Sequence, residues 1–284
     1  MARFGWVLAL LLVAAGCTSR PAAEDPVSLG APASAAPAST SAPASSVAAG
    51  TTASSSSAPR TTGPARPSAS PSTSRTVAQV PPVSAKARAV GLVDIRTVVP
   101  DAVIDLRYAT SNNFVGVRMY PVGARCLVHE SMAPGLKAAA DRLRRQGLVV
   151  VFWDCYRPHA VQERMFQEVP DPNWVARPGP YATSHEAGRS VDITLAKGRT
   201  GSACPAAQRV QGHCVLDMGT GFDDFTARAH AYATSGVSSV AQANRARLRS
   251  AMNAGGITVY SGEWWHFNGP GSGVRRPHLN APVD

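Results

Sequence analysis

Between Trp6 and Tyr108 the chain of 284 residues contains no Phe, Trp or Tyr. From Thr18 to about Val90 it consists mostly of Ala, Pro, Ser and Thr. A segment without large apolar groups cannot bury enough surface to offset the entropy of ordering it, which excludes a folded domain there. It reads as a disordered tether stiffened locally by its prolines, with a glycosylated stalk as the other reading. Long apolar runs are scarce too. The stretch from Val7 to Ala15 is too short to span a bilayer permanently. Paired C-x-x-C knuckles are missing, which excludes a zinc ribbon. Acidic residues are few, 18 against 28 Lys and Arg, leaving a formal charge of +10. That balance suits anionic surroundings such as wall polymers or lipid head groups, or solubility alone. Scattered arginines and the lack of a recognition motif argue against nucleic acid.

What is present begins with a single early cation, Arg3, the apolar stretch, and Ala14-Ala15-Gly16-Cys17. This is the layout of a secretory signal. Its ending resembles a bacterial lipobox, although Ala14 stands where Leu is usual, so residues 1–17 are expected to direct export and Cys17 to carry a lipid anchor. An ordinary signal with an incidental cysteine is the alternative. Four cysteines remain, an even number for an exported chain. Cys204 and Cys214 bracket a short polar loop and are expected to pair, which leaves Cys126 with Cys155. A loop of that size gains ~2–4 kcal/mol from such a bond.

Residues 91–284 have the size of one compact domain, after a linker at 18–90, and no internal repeat divides them. Val99 to Leu106 suggests a strand. Pro134 to Gln146 reads as a helix, with Leu136, Ala140 and Leu143 as its stripe and Gly147 at its end. Leu148 to Trp153 is a continuous apolar run, the mark of a buried strand. His159 to Val169 and Val240 to Asn253 are further helices, and Ile257 to Tyr260 a short strand. Without regular βαβ alternation, the expectation is α+β, a mainly antiparallel sheet flanked by helices.

Two stretches carry the chemistry: Ser184-His185-Glu186-Ala187-Gly188-Arg189-Ser190-Val191-Asp192 and Gly262-Glu263-Trp264-Trp265-His266. Catalytic zinc sites use three protein ligands of the His/His/carboxylate kind and leave a position to water. His185, Asp192 and His266 would supply them, with Gly188 letting the chain turn. Glu263 remains spare. Residues three apart on a straight strand face opposite ways, so Glu263 and His266 share a metal only if the backbone bends there.

These stretches resemble the VanX-type D-alanyl-D-alanine dipeptidases, within the zinc D-Ala-D-Ala peptidase group that shares its fold with the hedgehog signalling domain. The likeness covers nearly all of residues 95 to 270. It rests on Asp105-Leu106-Arg107-Tyr108-Ala109-Thr110 with Asn113-Phe114, Trp153-Asp154-Cys155-Tyr156-Arg157-Pro158, the S/T-x-H-x-x-G-x-A-x-D motif, Asp217-Met218-Gly219-Thr220-Gly221-Phe222-Asp223, and Glu263-Trp264-Trp265-His266. It implies one Zn2+ per chain on His185, Asp192 and His266. Glu263 would be the general base and Arg157, oriented by Asp154, the oxyanion stabiliser. Asp223 would receive the free ammonium of a small D-amino-acid dipeptide, with Tyr108 and Thr183 lining that pocket. Thr183 replaces the more usual Ser, Ser190 a usual Ala, and Cys155 a Gly. The Cys204 to Cys214 insertion is expected on the way to the pocket. Trp264 and Trp265 are expected to pack beneath the site. His129, His159, His213 and His278 show no partner at ligand spacing.

The expected activity is therefore hydrolysis of D-Ala-D-Ala or a similar wall-derived dipeptide by an exported, membrane-anchored enzyme. A D,D-carboxypeptidase or peptidoglycan endopeptidase on the same fold is the first alternative, and a silent wall-binding module the second. Asp223 speaks against the former; Glu263 and Arg157 speak against the latter.

Overall fold

The apolar run at Leu148 is the strand on which the other elements are laid. The computed structural model describes residues 79–198 and 204–284. The signal, Cys17 and most of the expected tether lie outside the described residues. In chain order the elements are α1 (Ala85–Ala89), β1 (Leu92–Asp94), α2 (Ile95–Val98), β2 (Val103–Ile104), β3 (Leu127–His129), α3 (Ala133–Arg144), β4 (Leu148–Asp154), α4 (His159–Glu168), β5 (Ser190–Lys197), β6 (Arg209–Val210), β7 (His213–Val215), α5 (Ser239–Ala254), β8 (Thr258–Val259) and β9 (His266–Asn268).

The main sheet runs β2-β4-β5-β7-β6, with β9 also on β5 and β8 on β9. Only the β2–β4 pair is parallel; the other pairs are antiparallel, as expected for an α+β domain. Strand β5 is long enough to serve two partners on one edge. Its Ser190–Asp192 end pairs with β9 and its Ala196–Lys197 end with β7. Val191, Ile193 and Leu195 alternate onto one face and join the main core.

The helices form where apolar spacing and caps coincide. In α3, Leu136, Ala139, Ala140 and Leu143 are buried at three- and four-residue spacing behind a Pro in the first turn. In α5, the Ser238 hydroxyl accepts the Ala241 N–H, and Leu248, Ala251 and Met252 are buried. Gly135 of α3 lies against the backbone of Gly255 just past α5, and a Cβ on either would collide with a carbonyl group. Truncating Leu143 there to Ala costs ~2–5 kcal/mol on general grounds.

Three sequence expectations are corrected. The expected strand at Val99 to Leu106 shrinks to β2. A turn in which the Ala102 N–H bonds the Val99 carbonyl at 3.0 Å delays the strand to Val103, and a second, with the Ala109 N–H on the Leu106 carbonyl at 3.1 Å, ends it. The stretch read as the end of the tether folds from Ser84 onward as α1. Ala87 is fully buried, and Arg125 donates to the carbonyls of Pro81 (2.6 Å) and Pro82 (3.0 Å). Small side chains suffice there because the groove they fill is lined by Leu92, Leu127 and Tyr156. The Cys204 insertion is the third. It forms the β6–β7 hairpin beside the Lys197 end of β5, roughly 17 Å along the strand from Asp192 at ~3.4 Å per residue. Both disulfides pair as expected, Cys126 with Cys155 and Cys204 with Cys214.

Candidate active site

Strand register builds the centre of the site. Asp192 on β5 stands opposite Asp154 of β4 on one side and His266 of β9 on the other. Residues opposite one another share a face, so two carboxylates and an imidazole meet there. His185 arrives from the turn Ser184–Ala187, which Gly188 closes in the left-handed conformation (φ 64°). A Cβ on Gly188 would lie 2.7 Å from Leu92, so the turn admits only glycine. Ser184 is left-handed as well (φ 48°), held by its N–H to the Ser272 carbonyl (2.8 Å) and by the Arg189 N–H to its own carbonyl (3.0 Å).

Three donor atoms converge. His185 Nε2 lies 3.1 Å from His266 Nδ1 and 3.3 Å from Asp192 Oδ1, and His266 Nδ1 lies 3.0 Å from that same oxygen. The imidazoles are inclined at 70°. Ligand atoms at zinc bond lengths of ~2.0–2.1 Å in a tetrahedron sit about 3.3 Å apart, so the triangle has the size zinc requires. The neighbours set the tautomers. His185 Nδ1 faces the Cys155 carbonyl at 2.8 Å, which can only accept, so that nitrogen carries the proton and Nε2 keeps its lone pair. His266 Nε2 faces Asn268 Oδ1 at 3.2 Å and Ser184 Oγ at 3.4 Å, leaving the Nδ1 lone pair inward. Two lone pairs and a carboxylate oxygen aimed at one point fit a divalent cation. Burial would raise the Asp192 carboxyl, but the electrostatic and hydrogen-bonding pull of the adjacent His185 and His266 outweighs it and carries the pKa far below the usual range.

Glu263 sits beside this triangle, Oε2 lying 3.9 Å from His266 Nδ1. The required bend is a turn in which the Glu263 N–H bonds the Tyr260 carbonyl at 3.2 Å. Burial raises the Glu263 carboxyl above its ordinary value, against the opposing pull of His266. Arg157 lies on the same pocket wall, fastened by Nε and Nη2 to Asp154 Oδ2 (3.1 and 2.6 Å) and by Nη1 to Gln162 Oε1 (2.8 Å). Burial disfavours its charge, yet Asp154 overrides that and lifts its pKa well above normal. The Tyr120 hydroxyl donates to Asp154 Oδ1 at 2.5 Å, completing a bracket behind the guanidinium. Asp223, left-handed at φ 56°, accepts the Tyr108 hydroxyl at 3.0 Å. Burial, reinforced by Asp192, holds its carboxyl well above the usual carboxylate range. All these groups except Asp154, Tyr120 and Cys155 line one cavity of about 390 Å³, with Thr183.

Trp264 and Trp265 are fully buried, Trp264 donating to Thr220 Oγ1 at 2.7 Å, so they pack beneath the site as expected. His129 accepts the Ser131 N–H and caps a short turn. Two other histidines depart from expectation. His159 and His278 meet over Glu186, His159 Nδ1 at 2.6 Å and His278 Nε2 at 3.8 Å from its Oε1. Gln162, Tyr120 and Asn268 were not legible as site residues from motifs. Asn268 had a signal, since it is two residues from His266 on a strand and so shares its face.

A family model described as D-ala-D-ala dipeptidase, peptidase family M15, matches residues 88–284. The chain is 36% identical over 179 residues to the D-alanyl-D-alanine dipeptidase of Escherichia coli (strain K12), covering 63% of this chain and 84% of that protein. It is 31% identical over 188 residues to the enzyme of the same name from Enterococcus faecium, covering 57% and 83%. A solved structure of the LdcB LD-carboxypeptidase aligns over 64% of this chain and 69% of its own at 16% identity, with a TM-score of 0.36. The chain belongs to the M15 family of zinc D-Ala-D-Ala peptidases and is a zinc metallopeptidase by membership.

Proposed function

We propose that this zinc peptidase of cell-wall peptides is specifically a VanX-type dipeptidase, releasing two D-amino acids from D-Ala-D-Ala or a similar free dipeptide. The observation that carries this reading is Asp223, a half-buried carboxylate sharing one small cavity with the His185, Asp192 and His266 triangle. A carboxylate on the wall of the cavity that holds the reacting centre matches a free ammonium and would close that end to a longer chain. The Tyr108 hydroxyl holds one oxygen of Asp223 and leaves the other for the substrate.

One catalytic zinc held by His185, Asp192 and His266 would supply an acidified water and polarise the scissile carbonyl. Glu263 takes the proton from the attacking water and hands it to the departing amine, a task suited to a carboxyl whose pKa burial has raised. Arg157 aims its remaining N–H groups at the developing oxyanion, already oriented by Asp154 and Gln162. Thr183 lines the cavity that would receive the dipeptide. We also take Cys17 as the lipid anchor of an exported protein, with the basic charge favouring anionic wall polymers. A Cys17→Ala chain released into the soluble fraction supports that anchor; one still bound to membrane removes it.

The test is hydrolysis of free D-Ala-D-Ala beside N-acetyl-D-Ala-D-Ala and a muropeptide, with and without chelator. Cleavage of the free dipeptide alone, lost on chelation, is expected. Cleavage of the blocked or longer substrates would move the protein to the carboxypeptidase or endopeptidase reading.

A further inference from the structure

Behind His266 lies a chain of polar groups that no motif announces. The Ser184 hydroxyl donates to Ser190 Oγ at 2.9 Å, and the Ser190 hydroxyl donates to Asn268 Oδ1 at 2.7 Å. Asn268 Oδ1 is also 3.2 Å from His266 Nε2, and Ser184 Oγ is 3.4 Å from it. Ser190 and Asn268 are direct cross-strand partners between β5 and β9, and Ser190 is fully buried. In the structure both hydroxyls donate toward Asn268, whose side-chain oxygen and not its NH2 faces the imidazole. That oxygen accepts only, so His266 must carry its proton on Nε2. A proton on Nδ1 would instead point at His185 Nε2 and occupy the centre of the triangle.

We infer that Asn268 is a positioning residue for His266: its side-chain oxygen, oriented by the Ser184–Ser190 hydroxyl relay, holds the Nε2–H tautomer and keeps the Nδ1 lone pair free for the metal. This rests on the reading of His266 as a zinc ligand. The physical reason is general. A ligating histidine is fixed in tautomer and rotation by what its other nitrogen bonds, and loss of that partner typically weakens metal binding ~10–100-fold. Here the partner comes from the same strand, two residues on, so one element supplies both ligand and support.

The experiment measures zinc affinity by chelator competition, without substrate, for the parent protein and for Asn268→Leu, Asn268→Asp and His266→Ala. Long-range 1H–15N spectra read the His266 tautomer alongside. Asn268→Leu keeps the volume and removes the acceptor. It is expected to lose ~10–100-fold in affinity and its uniform Nε2–H tautomer. Asn268→Asp keeps an acceptor oxygen and is expected to restore both, which separates the effect from damage to β9. An Asn268→Leu protein that binds zinc like the parent, or weakens with its tautomer unchanged, overturns the inference while the ligand assignment stands. A His266→Ala protein that still binds zinc like the parent overturns the ligand assignment itself and this inference with it.

Discussion

Among the described residues, two clusters are built from two histidines and one carboxylate, and they are made differently. In the first, His185, Asp192 and His266 hold their donor atoms 3.0–3.3 Å apart with the rings inclined at 70°. In the second, His159 touches Glu186 at 2.6 Å, and the His159 and His278 rings are stacked, 16° from parallel with centroids 3.6 Å apart. The lone pairs of stacked rings lie in near-parallel, separate planes, which is poorly suited to meeting at one ion. A contact of 2.6 Å is the length of a charge-assisted hydrogen bond and too short for two ligands of one tetrahedral metal. Residue type alone does not make a metal centre; the direction of the lone pairs does. In the second cluster the C-terminal segment rests His278 by ring stacking on His159. Nearby, the Tyr156 hydroxyl bonds both the carbonyl and the N–H of Ala281 at 3.2 Å, and the Arg125 N–H donates to the Val283 carbonyl at 2.6 Å.

The sharpest way to break this contrast is to remove one member from each cluster and count zinc. Asp192→Ala is expected to abolish both stoichiometric zinc and dipeptide hydrolysis, a larger loss than the ~10–100-fold seen when only a supporting partner goes. His159→Ala is expected to retain the same single equivalent as the parent. A second equivalent lost with His159 would erase the distinction drawn above. Arg157→Lys comes next. It leaves a charge near Asp154 but not a planar fork, and we expect kcat to fall ~10²–10³-fold with zinc content unchanged. Equal zinc loss would mean that Arg157 supports the metal rather than the reaction. His278→Ala tests the stacking contact. About 1 kcal/mol of stability, or ~2–4 °C in Tm, should be lost with the ring stacking on His159, and zinc affinity should be unaffected. The smallest effect on catalysis is expected from Cys204→Ser with Cys214→Ser. That hairpin sits at the far end of β5, so kcat/KM should match the parent even as the loss of a short-loop disulfide lowers Tm. A change in dipeptide preference would return the hairpin to the pocket.

Much of the fold was legible because its longer elements satisfy local rules and burial together. The α3 stripe, the apolar run of β4 and the helical stretch at Val240 to Asn253 each point the same way. Elements that depend on a distant surface were not. α1 is stable because Ala87 finds a groove made by Leu92, Leu127 and the C-terminal segment, and nothing within Ala85–Ala89 announces that. The meeting of His159, Glu186 and His278 is equally illegible, since three segments far apart in sequence must fold before it exists.

By itself the sequence determined a candidate inventory: the two histidines and the aspartate, the spare Glu263 and the glycine that lets Ser184–Ala187 turn, with Arg157 and Asp223 added by family resemblance. Motifs preserve residue type and local spacing, and those suffice to name a chemistry. Only the tertiary structure decided direction. The pairing of β5 with β4 on one edge and with β9 and β7 on the other brought Asp192 between Asp154 and His266, and sent the Cys204 hairpin to the opposite end. Which nitrogen of each imidazole faces inward follows from a carbonyl of Cys155 and an amide of Asn268. Lone pairs are vectors, and vectors are set by the packing of elements that sequence spacing does not relate.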